Sequence, residues 1–395
     1  MISKKMAELV KNGSSIRAMF EEGKIMAEKY GKENVYDFSL GNPSVIPPES
    51  VKNAIFDIIK EQSETEVHGY MLNCGFEDVR EKVALNINEK YKTNFNKNNI
   101  IMTVGAAGAL NITLKTIINP GDEVILFAPY FGEYDNYLSN YDGIPVVVKP
   151  DFKNFSIDFE DFERKISGKT KAVIINNPNN PTGVIYSEAD IKKLSEILDA
   201  KQREFNMSIY LISDEPYREL VYNNEVVPYI TKYYKNTFIG YSYSKTLSLP
   251  GERIGYLVVP SEMDDYEEIF GALGVANRVL GYVNAPSLFQ KVISECLNDT
   301  SDFSVYEENK NILYKALREY GYECVEPKGA FYMFPKCFIE DDKAFCESAK
   351  KYRLIIVPGS TFSCPGYFRI SYCVDKNTVL NSLESFRLFA ESYKF

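Results

Sequence analysis

Tryptophan is absent from the 395 residues, and histidine occurs once, at His68. Aromatic core and any ring stacking must therefore come from the 29 tyrosines and 25 phenylalanines. The seven cysteines (Cys74, Cys296, Cys324, Cys337, Cys346, Cys364, Cys373) are odd in number and scattered, with no CxxC pair. That pattern argues against a disulfide framework and a zinc cage, and it fits reduced thiols in the cytoplasm. Long apolar runs are missing too. No stretch approaches the eighteen or so residues that a spanning helix needs, and the basic start MISKKMAELVKNG leads into no apolar segment of the kind found in signal peptides. Positive charge is in deficit: 45 Lys and Arg against 55 Asp and Glu give a net −10. Bulk electrostatics then repel nucleic acid and anionic membrane, although a local basic pocket for a small anion is still compatible with them.

What is present is ample for a large folded chain. Hydrophobic residues make up 45% and charged residues 25%, with glycine and proline spread along the length. Collagen, coiled coil and general disorder are excluded, and the length corresponds to two or three domains. Residues 1–30 read as a helical arm, and Pro48 with Glu49 opens a helix over about 51–60. Seven short apolar runs follow: NIIMTVG (99–105), EVILFAP (123–129), IPVVVKP (144–150), KAVIINN (171–177), MSIYLISD (207–214), NTFIGYS (236–242) and RIGYLVVP (253–260). Helical repeats such as SEADIKKLSEILDAKQREF separate them, so the α/β pattern predicts a mostly parallel sheet covered on both faces. The expected division is a large domain over 46–285 and a smaller α+β domain formed by 1–45 with 286–395. The latter should open with one long charged helix at about 286–320.

In an open parallel sheet, ligands bind at the rim where the strands' carboxyl ends gather. Three runs end there in unusual polar groups: KAVIINN leads into NPNNPTG, MSIYLIS into Asp214-Glu-Pro-Tyr217, and NTFIGYS into SYSK, ending at Lys245. A carboxylate, an amide, a phenol and an amine in one crevice are the parts of a pyridoxal phosphate site. Asp214 would pair with the pyridine nitrogen. Lys245 would hold the cofactor covalently and then move the substrate's α-proton. Asn180 and Tyr217 could both donate to the ring oxygen, and the Asn180-Pro181 turn suits a cis bond. TVGAAGALNITLK is a strand that opens a helix, so the backbone N–H groups of Ala106 and Ala107 point at an anion. Ser242, Ser244 and Arg253 in SYSKTLSLPGERIG complete a phosphate cradle. Phe131 in APYFGEY could lie on the ring's open face, as could Tyr130 if the count is shifted by one. Arg369 in YFRISYC has a fork geometry that suits a substrate carboxylate.

These motifs, NNPNNPTG, SDEPY, SYSKTLSLPGERIGY and FRISY in that order, resemble the aspartate aminotransferase superfamily of fold-type I pyridoxal-phosphate enzymes, and the likeness covers essentially the whole chain. The resemblance implies a homodimer with shared active sites and a small domain that closes on substrate. It makes Lys245 the Schiff-base lysine, Asp214 the pyridinium partner, Asn180 and Tyr217 ligands of the ring oxygen and Arg369 the α-carboxylate clamp. It further implies that Tyr70 in HGYMLNCG reaches the partner subunit's phosphate and that Gly41 in SLGNP lines the substrate side. Four departures are visible: GAAGA lacks a hydroxyl residue, Phe131 replaces Trp or Tyr, DEPY has unusual middle residues, and Ser363 stands where glycine is common. The expected reaction is ping-pong transfer of an amino group from an L-amino acid to a 2-oxo acid. Aspartate or glutamate leads as donor, with an aromatic donor open. Arg278 in GVANRVLGYVNAP, or Arg17 in the N-terminal arm, would supply the second cation that a dicarboxylate needs. A C–S β-lyase acting on cystathionine-like substrates would use the same parts, as would a decarboxylase or synthase. A ligand-binding regulator would need a DNA-binding module, for which the stretch before the large domain offers no basic recognition helix. His68 is expected to pack or hydrogen-bond only.

Overall fold

The computed structural model describes residues 2–11 and 15–394. All seven apolar runs are strands of one sheet: β1 (Ile100–Thr103), β2 (Glu123–Phe127), β3 (Ile144–Val148), β4 (Thr170–Asn176), β5 (Tyr210–Asp214), β6 (Thr237–Ser242) and β7 (Gly255–Val258). Their order across the sheet is β1-β7-β6-β5-β4-β2-β3. Successive side chains alternate between faces, as the two-residue period of a strand requires. Leu126, Ile174 and Ile212 join one apolar layer with Leu110 of the helix Gly105–Ile117 and Leu273 of the helix Tyr266–Val279. Their neighbours Ile125, Val173 and Leu211 join the opposite layer with Leu194 and Leu198 of the helix Glu188–Phe205. Both faces are thus covered, and each buried side chain of this size contributes about 1.5–3 kcal/mol. An acid at Val173 or Leu211 would place an unpaired charge in that layer.

One strand runs against the rest. β7 is antiparallel to both β1 and β6, with Gly255 opposite Thr103 and Ser242. The short connection 243–254 does not carry the long helical crossover that a parallel return uses. It holds only the helical turns Tyr243–Thr246 and Pro250–Glu252, and so it keeps Lys245 and Arg253 at the rim. Gly255 is required by close approach, because a Cβ there would lie 2.2 Å from the Tyr241 carbonyl oxygen and 3.0 Å from the Gly105 Cα.

The single long helix expected at about 286–320 is instead two, Ser287–Glu295 and Ser304–Tyr320. The break follows from NDTSD chemistry: Asp302 Oδ1 accepts from the Ser304 backbone N–H, and the Ser301 N–H goes to the Thr246 carbonyl. Val292 and Ile293 of the first helix pack with Val51, Ala54 and Ile58 of the helix Glu49–Glu61. From the second helix onward a separate core forms, in which Leu313 and Leu317 meet Phe331, Phe368, Phe386 and Phe389. A three-stranded antiparallel sheet sits there, with Phe368–Ser371 between Tyr332–Met333 and Val357–Pro358. Tyr36–Asp37 pairs in parallel with Leu354–Ile355, which ties the N-terminal segment to this part of the chain. The arm is two helices, Lys4–Lys11 and Ser15–Tyr30. Among the described residues, no helix is long and apolar enough to cross a membrane.

Candidate active site

The carboxyl ends of β4, β5 and β6 open on a cleft of about 280 Å³. Twelve of the residues expected at a site line it: Gly41, Ala106, Ala107, Phe131, Asn180, Asp214, Tyr217, Ser242, Ser244, Lys245, Arg253 and Arg369. Asp214 ends β5 and is 6% exposed. Its Oδ2 accepts from the Tyr134 hydroxyl at 2.6 Å, whereas its buried Oδ1 has no partner. Burial pushes the carboxyl up to about 7, against the pull of the Tyr134 bond, with nearby Glu215 adding to the rise. This carboxyl group, in the cleft wall, is thus short of one hydrogen-bond partner.

Lys245 follows β6 in the turn Tyr243–Thr246 and donates to the Gly41 carbonyl at 2.8 Å. Burial lowers the amine to about 8; Cys373 opposes the shift, and Arg253 and Arg369 reinforce it. At neutral pH a usable fraction of this lysine is therefore an uncharged nucleophile.

A cradle for an anion lies beside it. The helix Gly105–Ile117 begins at the cleft, and the first-turn N–H groups of such a helix have no intrahelical acceptor. The Ser242 and Ser244 hydroxyls lie 2.8 Å apart, and Arg253 donates to Ser244 Oγ at 3.4 Å and to the Val104 carbonyl at 3.3 Å. Gly105 has φ +76°, and a Cβ there would stand 3.0 Å from Arg253 Nη2. Any larger residue would crowd the guanidinium.

Opposite the cradle, Arg369 is buried between the Tyr332 and Phe362 rings, at 4.6 and 4.8 Å from their centroids. It donates to Asn180 Oδ1 at 3.0 Å and to the Ser39 carbonyl at 2.5 Å, which leaves Nε unpartnered. Because Asn180 Oδ1 is thus engaged, its amide N–H₂ is left to serve the cleft. Asn176, which ends β4, fixes that turn by accepting from the Asn180 N–H at 2.6 Å and donating to the Asp214 carbonyl at 2.8 Å. The Asn180-Pro181 bond is cis.

The family model for aminotransferase class I and II matches residues 33–386. The chain belongs to this family. The aminotransferase is 31% identical to an aspartate aminotransferase of Thermotoga maritima over 91% of this chain and 92% of that one. It is 29% identical to an aromatic-amino-acid aminotransferase of Thermococcus litoralis over 91% of each. The crystal structure of an amino transferase from Eubacterium rectale superposes with a TM-score of 0.98 at 45% identity, covering 100% of both chains.

The aminotransferase also places groups that sequence reasoning did not single out. Tyr134, Tyr137, Asn176 and Tyr332 all stand at or behind the cleft wall. Asn176 had a signal, since it directly precedes NPNNPTG. The tyrosines had none, because 29 of them share the chain. Between the two stacking candidates the geometry separates clearly: Phe131 lines the cleft, while the Tyr130 hydroxyl bonds Asp135 and accepts from Ser363. Tyr70, Arg278 and His68 do not line the cleft of their own chain and are exposed, Tyr70 to 94%. Tyr70 and Arg278 nevertheless share one region. Asn277 donates to the Asn73 carbonyl at 2.7 Å, Asn73 to Val283 at 2.9 Å and Asn284 to Leu72 at 2.8 Å, so the loop at 70–74 is clamped to the end of the helix Tyr266–Val279. The Arg17 side chain lies outside the described residues.

Proposed function

We propose that the aminotransferase works with pyridoxal 5′-phosphate, moving the amino group of an L-amino acid to a 2-oxo acid in two half-reactions of a ping-pong cycle. The observation that carries the cofactor assignment is the buried, unpartnered Oδ1 of Asp214, a residue of the cleft wall that Lys245 also lines. A protonated pyridine nitrogen supplies the missing donor. The Gly105 and Arg253 cradle fits a phosphomonoester dianion, with Ala106 and Ala107 giving backbone N–H groups and Ser242, Ser244 and Arg253 giving side-chain donors. When bound, the cofactor supplies an electron sink for the carbon from which the proton leaves. The protein does the rest. Asp214 holds the ring nitrogen charged, Phe131 covers a ring face, and Asn180 and Tyr217 donate to the ring oxygen. Lys245, lowered to about 8, takes the α-proton and returns it one step later. Arg369 holds the α-carboxylate, and Gly41 keeps the substrate side open.

For the donor, the reading is aspartate or glutamate with 2-oxoglutarate as a common acceptor, and an aromatic donor as the alternative. Among the described residues, the cations lining the cleft are Lys245, Arg253 and Arg369, each already assigned, so a second substrate carboxylate would need a further cation, Arg278 of a second copy or Arg17 of the arm. A homodimer would bring Arg278 and Tyr70 of the partner to the cleft. Phe56, Ile59 and Leu72 of the large unit are exposed to 63%, 54% and 60%, apolar side chains that a second copy would cover. The proposed division is a large unit over 46–285 and a smaller one of 1–45 with 286–395, and the helix Ser287–Glu295 at their junction packs on the first. The proposed setting is the cytoplasm, a reading that rests on the odd number and scatter of the seven cysteines in the sequence.

A panel of amino donors against 2-oxoglutarate and pyruvate, with purified protein in the presence and absence of added pyridoxal phosphate, tests the function. Transfer that needs no pyridoxal phosphate in fully stripped protein would refute the cofactor assignment. Release of ammonia and pyruvate without any amino acceptor would refute the transfer reaction.

A further inference from the structure

Tyr332 has no place in the roles assigned above, yet it touches three of their owners. Its hydroxyl lies 2.9 Å from the Tyr217 hydroxyl, and its ring face carries the Arg369 guanidinium at 4.6 Å. Its hydroxyl also presses on Gly41, where a Cβ would lie only 2.1 Å away. Gly41 in turn accepts the Lys245 amine through its carbonyl. The side chain is 3% exposed and borders the cleft.

Two phenols that share one hydrogen bond must divide its proton. Each hydroxyl has one donor, so whichever donates across the pair cannot donate elsewhere. Burial raises both phenols, Tyr332 to about 12 and Tyr217 well above its ordinary value, and the charge of Arg369, which lies over the Tyr332 ring, opposes the rise at each. Either hydroxyl can donate across the 2.9 Å contact, and where the Tyr217 proton goes to the cofactor's ring oxygen, as proposed above, Tyr332 is the one left to donate.

We propose that Tyr332 is a positioning residue acting through two neighbours. Its hydroxyl donates to the Tyr217 oxygen and so leaves the Tyr217 proton free to point into the cleft at the cofactor's ring oxygen, while its ring face seats Arg369 for the substrate carboxylate. The inference rests on the pyridoxal phosphate reading. A donor that is itself accepting a hydrogen bond is polarised and donates more strongly, by about 10–30% per bond. Losing that support weakens the hold on the ring oxygen's negative charge, so the oxygen becomes more basic.

The experiment uses the holoenzyme and the variants Tyr332→Phe, Tyr332→Leu, Tyr217→Phe and the double variant Tyr217→Phe/Tyr332→Phe. The first readout is the pH at which the visible band of the bound cofactor titrates; the second is the split between kcat and KM. Tyr332→Phe should raise the titration midpoint by about half a unit. KM for the amino donor should stay within about twofold, because the ring face under Arg369 is kept. Tyr332→Leu should add a rise in KM of about fivefold or more for every carboxylate substrate. In the Tyr217→Phe background, Tyr332→Phe should leave the midpoint where it was, since the partner it acts through is gone. An unmoved midpoint in Tyr332→Phe, or an equal shift with and without the Tyr217 hydroxyl, overturns the proposal. A wild-type protein that forms no visible band with added pyridoxal phosphate overturns the cofactor reading and this inference together, whereas a wild-type band that forms but does not titrate between pH 5 and 10 overturns this inference alone. Thermal unfolding of Tyr332→Phe guards the comparison. If that variant is unfolded, Gly41→Ala, whose Cβ would displace the Tyr332 hydroxyl, must raise the midpoint in the same direction or the proposal fails.

Discussion

The Tyr134 hydroxyl donates to Oδ2 of Asp214 at 2.6 Å, and it is the one side-chain bond that offsets burial at this carboxylate. Tyr134→Phe should therefore let the Asp214 carboxyl rise further, so that less of it is ionised at neutral pH. A hydrogen bond to a charged group is worth about 1.5–3 kcal/mol, so kcat should fall by about tenfold or more at pH 7. The acid limb of the kcat/KM profile should move to higher pH. A profile that keeps its acid limb in place, whatever the rate, would remove Tyr134 from any part in tuning Asp214.

The same carboxylate makes a prediction about stability in protein stripped of cofactor. Its pKa in the folded chain is raised from 3.8 to about 7, so between those values the folded state binds more protons than the unfolded state. The stabilising contribution is complete below pH 4 and is lost as pH rises through 7. Stripped protein should thus lose thermal stability across that window from this group, and Asp214→Asn should flatten the slope there. Added pyridoxal phosphate should flatten it too, by giving the ionised carboxylate a cationic partner. Differential scanning calorimetry from pH 4 to 8 on both proteins checks this, and identical slopes would sink it.

Much of this site was legible in the chain because rim residues follow strands, and strands buried on both faces read as short apolar runs. KAVIINN, MSIYLISD and NTFIGYS each delivered its polar end to the cleft, as the sheet geometry requires. What the sequence concealed depends on non-local pairing. Nothing in RIGYLVVP marks it as the antiparallel strand between β1 and β6, because alternation does not encode direction. The break at 296–303 fell inside a stretch rich in charge, where a helical repeat outweighed the Asn, Asp and Ser that turn the chain. Tyr134 and Tyr332 stayed hidden for a different reason: tyrosine is used throughout both cores, so no composition or spacing separates a phenol beside Asp214 or Arg369 from one that packs. Tyr70 and Arg278 touch no part of their own cleft, so a single chain neither supports nor opposes their roles.

Lys245 should be the attachment point of the cofactor. Among the described residues it is the one lysine that lines the cleft, and burial holds it at about 8. Purified protein should be yellow, and borohydride reduction followed by peptide mapping should find the label on Lys245. Lys245→Ala should lose turnover by several orders of magnitude while retaining pyridoxal phosphate through Asp214 and the phosphate cradle. A label on any other lysine would refute the assignment.

Substrate choice turns on Arg278. It stands exposed in the last turn of the helix Tyr266–Val279, beside the loop that carries Tyr70 and clamped to it by Asn73, Asn277 and Asn284. A clamp of this kind fixes where both side chains are presented to a second copy. If the guanidinium reaches the partner's cleft, it meets the distal carboxylate of aspartate or glutamate with a charge-assisted bond that alanine and phenylalanine cannot make. A site built around that bond loses far more for the dicarboxylate than for an apolar donor when the arginine is removed. Arg278→Ala should accordingly lower kcat/KM for aspartate and glutamate by about a hundredfold, while changing alanine and phenylalanine by less than about threefold. Sedimentation of the variant must show the same oligomer as wild type for the comparison to hold. Equal losses across all four donors would exclude Arg278 from specificity, and a wild-type enzyme with no turnover of either acidic donor would exclude the dicarboxylate reading itself, which would leave the aromatic donor to be tested at the wall formed by Leu40, Phe131 and Tyr137.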